Sequence, residues 1–232
     1  MKKILLIFIL SSSINLTFAQ AIKFTVTAGV NESTASKIPD NFIKEIAAAG
    51  QTFPNSKLHG FHAGVFAAYS VGKISIQPGL LYTTKGGIPY SFSGNSITND
   101  YYNRKDVLRL NYLEVPLNIR YNIPIGVNKV FIGGGPYIGV GISGKENYTI
   151  TDNGPGEANA NQVNKSSKNI TYGSGYDDIK SMDFGLGAKL GFALKKGWLI
   201  SFNYEYGLTN LSNDPRYSGE NKTLGLSLGY SL

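Results

Sequence analysis

The sequence predicts an all-β protein, an eight-stranded antiparallel transmembrane β-barrel, and three observations predict it. Apolar residues alternate with small or polar ones through eight successive segments, one face of every segment lacks Asp, Glu, Lys and Arg, and the links between segments alternate long and short. Period 2 is the signature of strands, whose successive side chains point to opposite faces. A face without charge suits hydrocarbon, and long links alternating with short turns suit a barrel with loops on one side of a membrane. Composition agrees: charged residues make up 16% of the 232, against about 25% in an ordinary domain, while Gly numbers 28 and Tyr 15. The absence of Cys excludes a disulfide scaffold, a thiolate metal site and a thiol nucleophile.

The chain opens with an export signal. Lys2 and Lys3 precede the apolar run Ile4–Leu10, and a softer stretch leads to Ala19. This is the pattern of a signal peptide over residues 1–19, cleaved after Ala19, with residues 20–232 forming one barrel domain. Its removal lowers the formal charge from +7 to +5. No later stretch is apolar for long enough to form a membrane-spanning helix.

The strands follow in order. The first sets Ile22, Phe24, Val26, Ala28 and Val30 against Lys23, Thr25, Thr27 and Gly29. The second sets Phe61, Ala63, Val65, Ala67, Tyr69 and Val71 against His62, Gly64, Phe66, Ala68 and Ser70, and the third sets Ile74, Ile76, Pro78, Leu80 and Tyr82 against Ser75, Gln77, Gly79, Leu81 and Thr83. In the fourth, Leu113, Val115, Leu117, Ile119 and Tyr121 oppose Tyr112, Glu114, Pro116, Asn118 and Arg120. The fifth alternates from Val130 to Ser143, with Phe131, Tyr137 and four glycines opposite the apolar set. The sixth (Met182–Lys195), seventh (Trp198–Gly207) and eighth (Thr223–Leu232) repeat the pattern. Most reach the 9–11 residues that a tilted strand needs to cross a bilayer. A glycine-rich second face suits the crowded lumen of a barrel this small, which side chains fill. Tyr82, Tyr121, Trp198 and Tyr206 lie near strand ends, as in aromatic girdles.

The links at 31–58, 85–107, 144–180 and 209–222 are long, and those at 72, 122–129 and 196–197 are short. Loops therefore face outward from the cell and turns face the periplasm. Residues 147–176 read as a polar loop, mobile or ordered only by a partner, and Asp40–Ile46 reads as one or two helical turns capped at Asp40.

The fourth strand contains Asn111-Tyr112-Leu113-Glu114-Val115-Pro116-Leu117, and the leader ends Phe18-Ala19-Gln20. With the glycine-rich strands 133–141 and 185–191, the chain resembles the PorT-like outer-membrane β-barrel family of Bacteroidota. The resemblance implies an integral outer-membrane protein of porin type, inserted by the barrel-assembly machinery.

Glu114, Arg120, Asp183, Lys189 and Glu205 fall on lumen positions, where charges of both signs should pair into a structural plug. The alternative is a polar path for small solutes. His59 and His62 point to opposite faces and make a poor metal pair, so no metal or cofactor is expected. Ser70 and Ser75 lie at the turn end, away from His59, and no catalytic residue is assigned. Gly139–Gly144 has dinucleotide-fingerprint spacing without the strand–helix context. The expected function is non-enzymatic, structural or loop-mediated; the alternatives are a narrow channel, or an accessory of protein secretion or envelope assembly. Expected partners are outer-membrane lipids, lipopolysaccharide phosphates facing basic loop residues, and an envelope protein at the loops, with no nucleic acid.

Overall fold

The computed structural model describes residues 22–35, 57–95, 100–152, 162–175, 178–213 and 219–232. The predicted leader and the helical turns at Asp40–Ile46 lie outside the described residues. Among the described residues there are ten strands: β1 (Lys23–Thr34), β2 (Leu58–Val71), β3 (Ile74–Gly87), β4 (Tyr90–Asn95), β5 (Asp100–Ile125), β6 (Asn128–Asp152), β7 (Gln162–Asn169), β8 (Met182–Ala193), β9 (Trp198–Gly207) and β10 (Lys222–Ser231). All pair antiparallel in one sheet, and the β5–β6 pairing closes β5-β3-β2-β1-β10-β9-β8-β6 into a ring of eight. Closure leaves no unpaired edge within the ring, the condition for a sheet to sit in lipid.

Each predicted apolar face looks outward. Val30, Ile119, Phe202 and Leu228 are exposed on the outer surface, while Thr25, His62, Phe66, Gln77, Asn118, Phe131, Ser201 and Ser227 are buried inside. This inverts a water-soluble barrel, which hides its apolar side chains. Trp198 packs edge-on to Tyr230 with ring centroids 5.2 Å apart, and Phe61 meets Tyr82 at 5.5 Å. The β2–β3 and β5–β6 hairpins turn in two residues each, at Gly72 (φ 60°) and Gly126 (φ 59°). Both positions need the left-handed backbone that glycine enters without steric penalty.

The loop end differs from expectation. β5 and β6 run 26 and 25 residues, more than twice a membrane crossing, and β4 and β7 flank them above the ring. Much of the predicted links 85–107 and 144–180 is therefore paired strand, and 147–152 with 162–169 is ladder rather than loop. The register slips between Asn111 and Tyr112: Tyr112 faces Gly141 but Asn111 faces Ser143. This bulge moves the inward set of β6 from odd to even positions. Ser143, expected inside, is exposed, and Glu146 is buried in its place. Glu146 there binds Lys168 at 3.1 Å and Arg104 at 3.6 Å.

Candidate functional site

The bore is plugged toward the loops by one cation. Thr83 and Lys85 continue the inward set of β3, two residues past the end predicted for that strand, and Lys85 is fully buried. Its Nζ lies 2.6 Å from Glu114 Oε1 on β5, 2.9 Å from Glu205 Oε2 on β9 and 3.7 Å from Asp183 Oδ2 on β8. It also sits 4.1 Å from the ring centroid of Tyr137 on β6. β3 and β9 are diametrically opposed in the ring, so the Lys85 side chain spans the bore. Asn221 Nδ2 donates to Asp183 Oδ2 at 2.9 Å and fixes the third carboxylate. Coulombic attraction joins this cluster, since Lys85 Nζ makes no hydrogen bond of good angle.

Above it lies an apolar lid. Leu108, Leu110 and Tyr112 from β5 pack with Ile179 and Leu211, with Ile170 and Tyr172 against them. Two loop segments hold the lid in place. Gly173 N donates to Ile179 O at 3.0 Å, and Lys180 N to Leu211 O at 2.9 Å. Asn213 Nδ2 reaches the carbonyls of Gly173, Gly175 and Asp178 at 3.0–3.1 Å. Burial raises the Tyr172 phenol above its usual range, so it stays protonated and donates to Ser143 O at 3.1 Å.

The five predicted lumen charges thus divide. Glu114, Asp183 and Glu205 converge, but on Lys85, which the sequence places at the start of a loop. Arg120 and Lys189 stand apart toward the turns, over the rings of Phe131 (4.8 Å) and Phe66 (4.5 Å). The missed signal was the period itself, because Leu81, Thr83 and Lys85 keep the inward phase up to Gly86.

Between the two groups is a polar chain that sequence reasoning also missed. Asn31 Nδ2 donates to Thr83 Oγ1 at 2.9 Å and to Thr84 O at 3.3 Å, which turns its Oδ1 toward His62. His62 Nδ1–H donates to that oxygen, and its Nε2 accepts from the Ser227 hydroxyl at 2.7 Å. Asn203 Nδ2 donates in turn to Ser227 Oγ. Gly29 lies between His62 and Ser227 in the register, and a Cβ there would stand 2.6 Å from His62 Cε1. Only glycine leaves room for the two side chains to meet. Ser70 and Ser75 pair with each other at 2.8 Å near the turns, and His59 lies opposite Glu32 at the loop end. Gly139–Gly144 runs within β6, with no helix after it. The cavity beside His62 measures about 40 Å³, room for a few waters.

No curated protein matches the chain. Among solved structures, similar ones include Ail of Yersinia pestis (15% identity over 91% of this chain and 99% of that one, TM-score 0.43). Neisserial surface protein A (14%, 90% and 97%, TM-score 0.40) and OprG of Pseudomonas aeruginosa (13%, 92% and 97%, TM-score 0.36) are also similar. At these scores the likeness says nothing about function. Residues 18–213 match the family model described as "Outer membrane protein beta-barrel domain". With that match over most of its length, a closed ring of eight strands and an apolar outer surface, the chain belongs to the outer-membrane β-barrel domain family.

Proposed function

We propose that this protein is a sealed, non-enzymatic outer-membrane barrel whose lumen is structural and whose loop end is its interaction surface. The observation that supports this most directly is the fully buried Lys85 under its apolar lid, which leaves no continuous path through the bore among the described residues. In planar bilayers the purified mature chain is expected to give no steady single-channel steps. Steady unitary currents from the wild-type protein would favour the narrow channel instead.

The leader, residues 1–19, is removed after Ala19, and the barrel-assembly machinery inserts the remaining domain, 20–232. The kinship proposed within the family is with PorT-like barrels of Bacteroidota. Two residues of the string that suggests it, Tyr112 and Glu114, belong to the plug and lid, while Leu113, Val115 and Leu117 face outward. Lipopolysaccharide phosphates are the proposed lipid partner at the loop end. Lys105, Arg109, Lys145 and Lys165 share the outward face of β5–β6–β7 just above the apolar belt, with Arg109 directly opposite Lys145. Like charges so paired repel unless an anion lies between them. An envelope protein partner would meet the β4–β7 extension and the loops.

A hydrolase reading has one favourable observation, the Ser227–His62–Asn31 chain, which has the connectivity of an activated nucleophile. Ser227 is only 3% exposed, however, and its cavity admits no substrate. A fluorophosphonate probe is therefore expected to leave Ser227 unlabelled in the folded protein. Labelling abolished by His62→Ala would refute the non-enzymatic reading.

A further inference from the structure

The bore is sealed toward the loops but open toward the turns. A vestibule of about 700 Å³ opens there, lined by Lys23, Arg120, Lys129, Lys195 and Lys196. No Asp or Glu side chain lines it among the described residues. Lys23 and Lys129 lie two residues before Thr25 and Phe131, so strand period puts both in the inward phase, while Lys195 sits in the β8–β9 turn at the mouth. Arg120 lines both this vestibule and a smaller cavity of about 20 Å³, which Lys189 also lines.

These inner cations make no contact ion pair, and Glu205 acts on Lys189 only from beyond contact range. Neither Arg120 nor Lys189 has a carboxylate oxygen within 4.0 Å among the described residues, because the lumen acids are gathered on Lys85. Arg120 Nε is buried without a hydrogen-bond partner. The ring face of Phe131 offsets only part of the loss of water around a guanidinium. A cleft of one charge sign between low-dielectric walls concentrates anions, and a guanidinium fork matches two oxygens of one oxyanion.

We infer that the vestibule at the turn end binds a multivalent oxyanion of the phosphate class, with Arg120 as its buried donor and Lys23, Lys129 and Lys195 as its rim. In an outer-membrane barrel this end faces the periplasm. The phosphate belongs either to a soluble periplasmic compound or to an inner-leaflet lipid headgroup.

Isothermal titration of the mature chain in uncharged detergent at low ionic strength, with pyrophosphate as the probe, tests this. Saturable binding is expected, weakened about tenfold or more by Arg120→Gln. A Lys129→Gln/Lys195→Gln double variant, exposed at the rim and without consequence for folding, is expected to weaken it by several-fold, whereas Lys222→Gln at the loop end leaves it unchanged. Repeating the titration in nanodiscs separates the two sources. Binding that survives in phosphatidylglycerol discs assigns a soluble anion, and binding lost there but kept in phosphatidylcholine discs assigns a lipid phosphate. Absence of binding to the wild-type chain, or a folded Arg120→Gln variant that binds as wild type, overturns the site. Should Arg120→Gln fail to fold, wild-type affinity in the double variant overturns it. None of these outcomes depends on conductance, so this site and the sealed lumen stand or fall separately.

Discussion

Lys85→Met is expected to destabilise the barrel by about 3–5 kcal/mol, the usual consequence of removing one partner from a buried ion cluster. Three carboxylates from β5, β8 and β9 converge on this single ammonium, which is fully buried along with Glu114 and Asp183. Without it they repel one another in a medium that screens poorly. Adding Glu114→Gln, Asp183→Asn and Glu205→Gln to Lys85→Met is expected to recover most of the loss, since neutral groups of similar shape need no counter-charge. Heat-modifiable gel mobility along a denaturant series in lipid vesicles measures both. A Lys85→Met barrel within about 1 kcal/mol of wild type would show that the cluster contributes little.

Ile119→Arg is expected to destabilise by about 2–4 kcal/mol, the penalty for arginine near the bilayer midplane on the lipid face of a barrel. Ile119 is 59% exposed on the outer surface, with its backbone paired to Ile76 and Gly134. On a water-facing strand the same change would fall within about 0.5 kcal/mol. Refolding into vesicles, compared with an Asn118→Ser control on the lumen face, reads the difference. Equal stability of the two variants would mean that this surface does not face hydrocarbon.

The site was less legible than the fold. Glu114, Asp183 and Glu205 can be placed in the lumen from their phase alone, but their common partner was hidden. The run Lys85-Gly86-Gly87 resembles the start of a loop, yet β3 continues through it. His62 and Ser227 lie 165 positions apart and meet only because β1 stands between β2 and β10 with Gly29 at the crossing. Glu146 turned inward because of the bulge at Asn111/Tyr112, one extra residue that no alternation pattern announces.

Alternation alone separates the lipid-facing from the bore-facing residues up to the bulge in β6, and link lengths tell which ends carry turns. Alternation is a property of the extended backbone, written locally every two residues. What the inward side chains touch is settled by closure of the ring. Contacts across a closed ring depend on register, tilt and the meeting of β5 with β6, which brings β3 face to face with β9. That closure set the acids on Lys85 and left Arg120 and Lys189 toward the turns, out of contact with any carboxylate among the described residues.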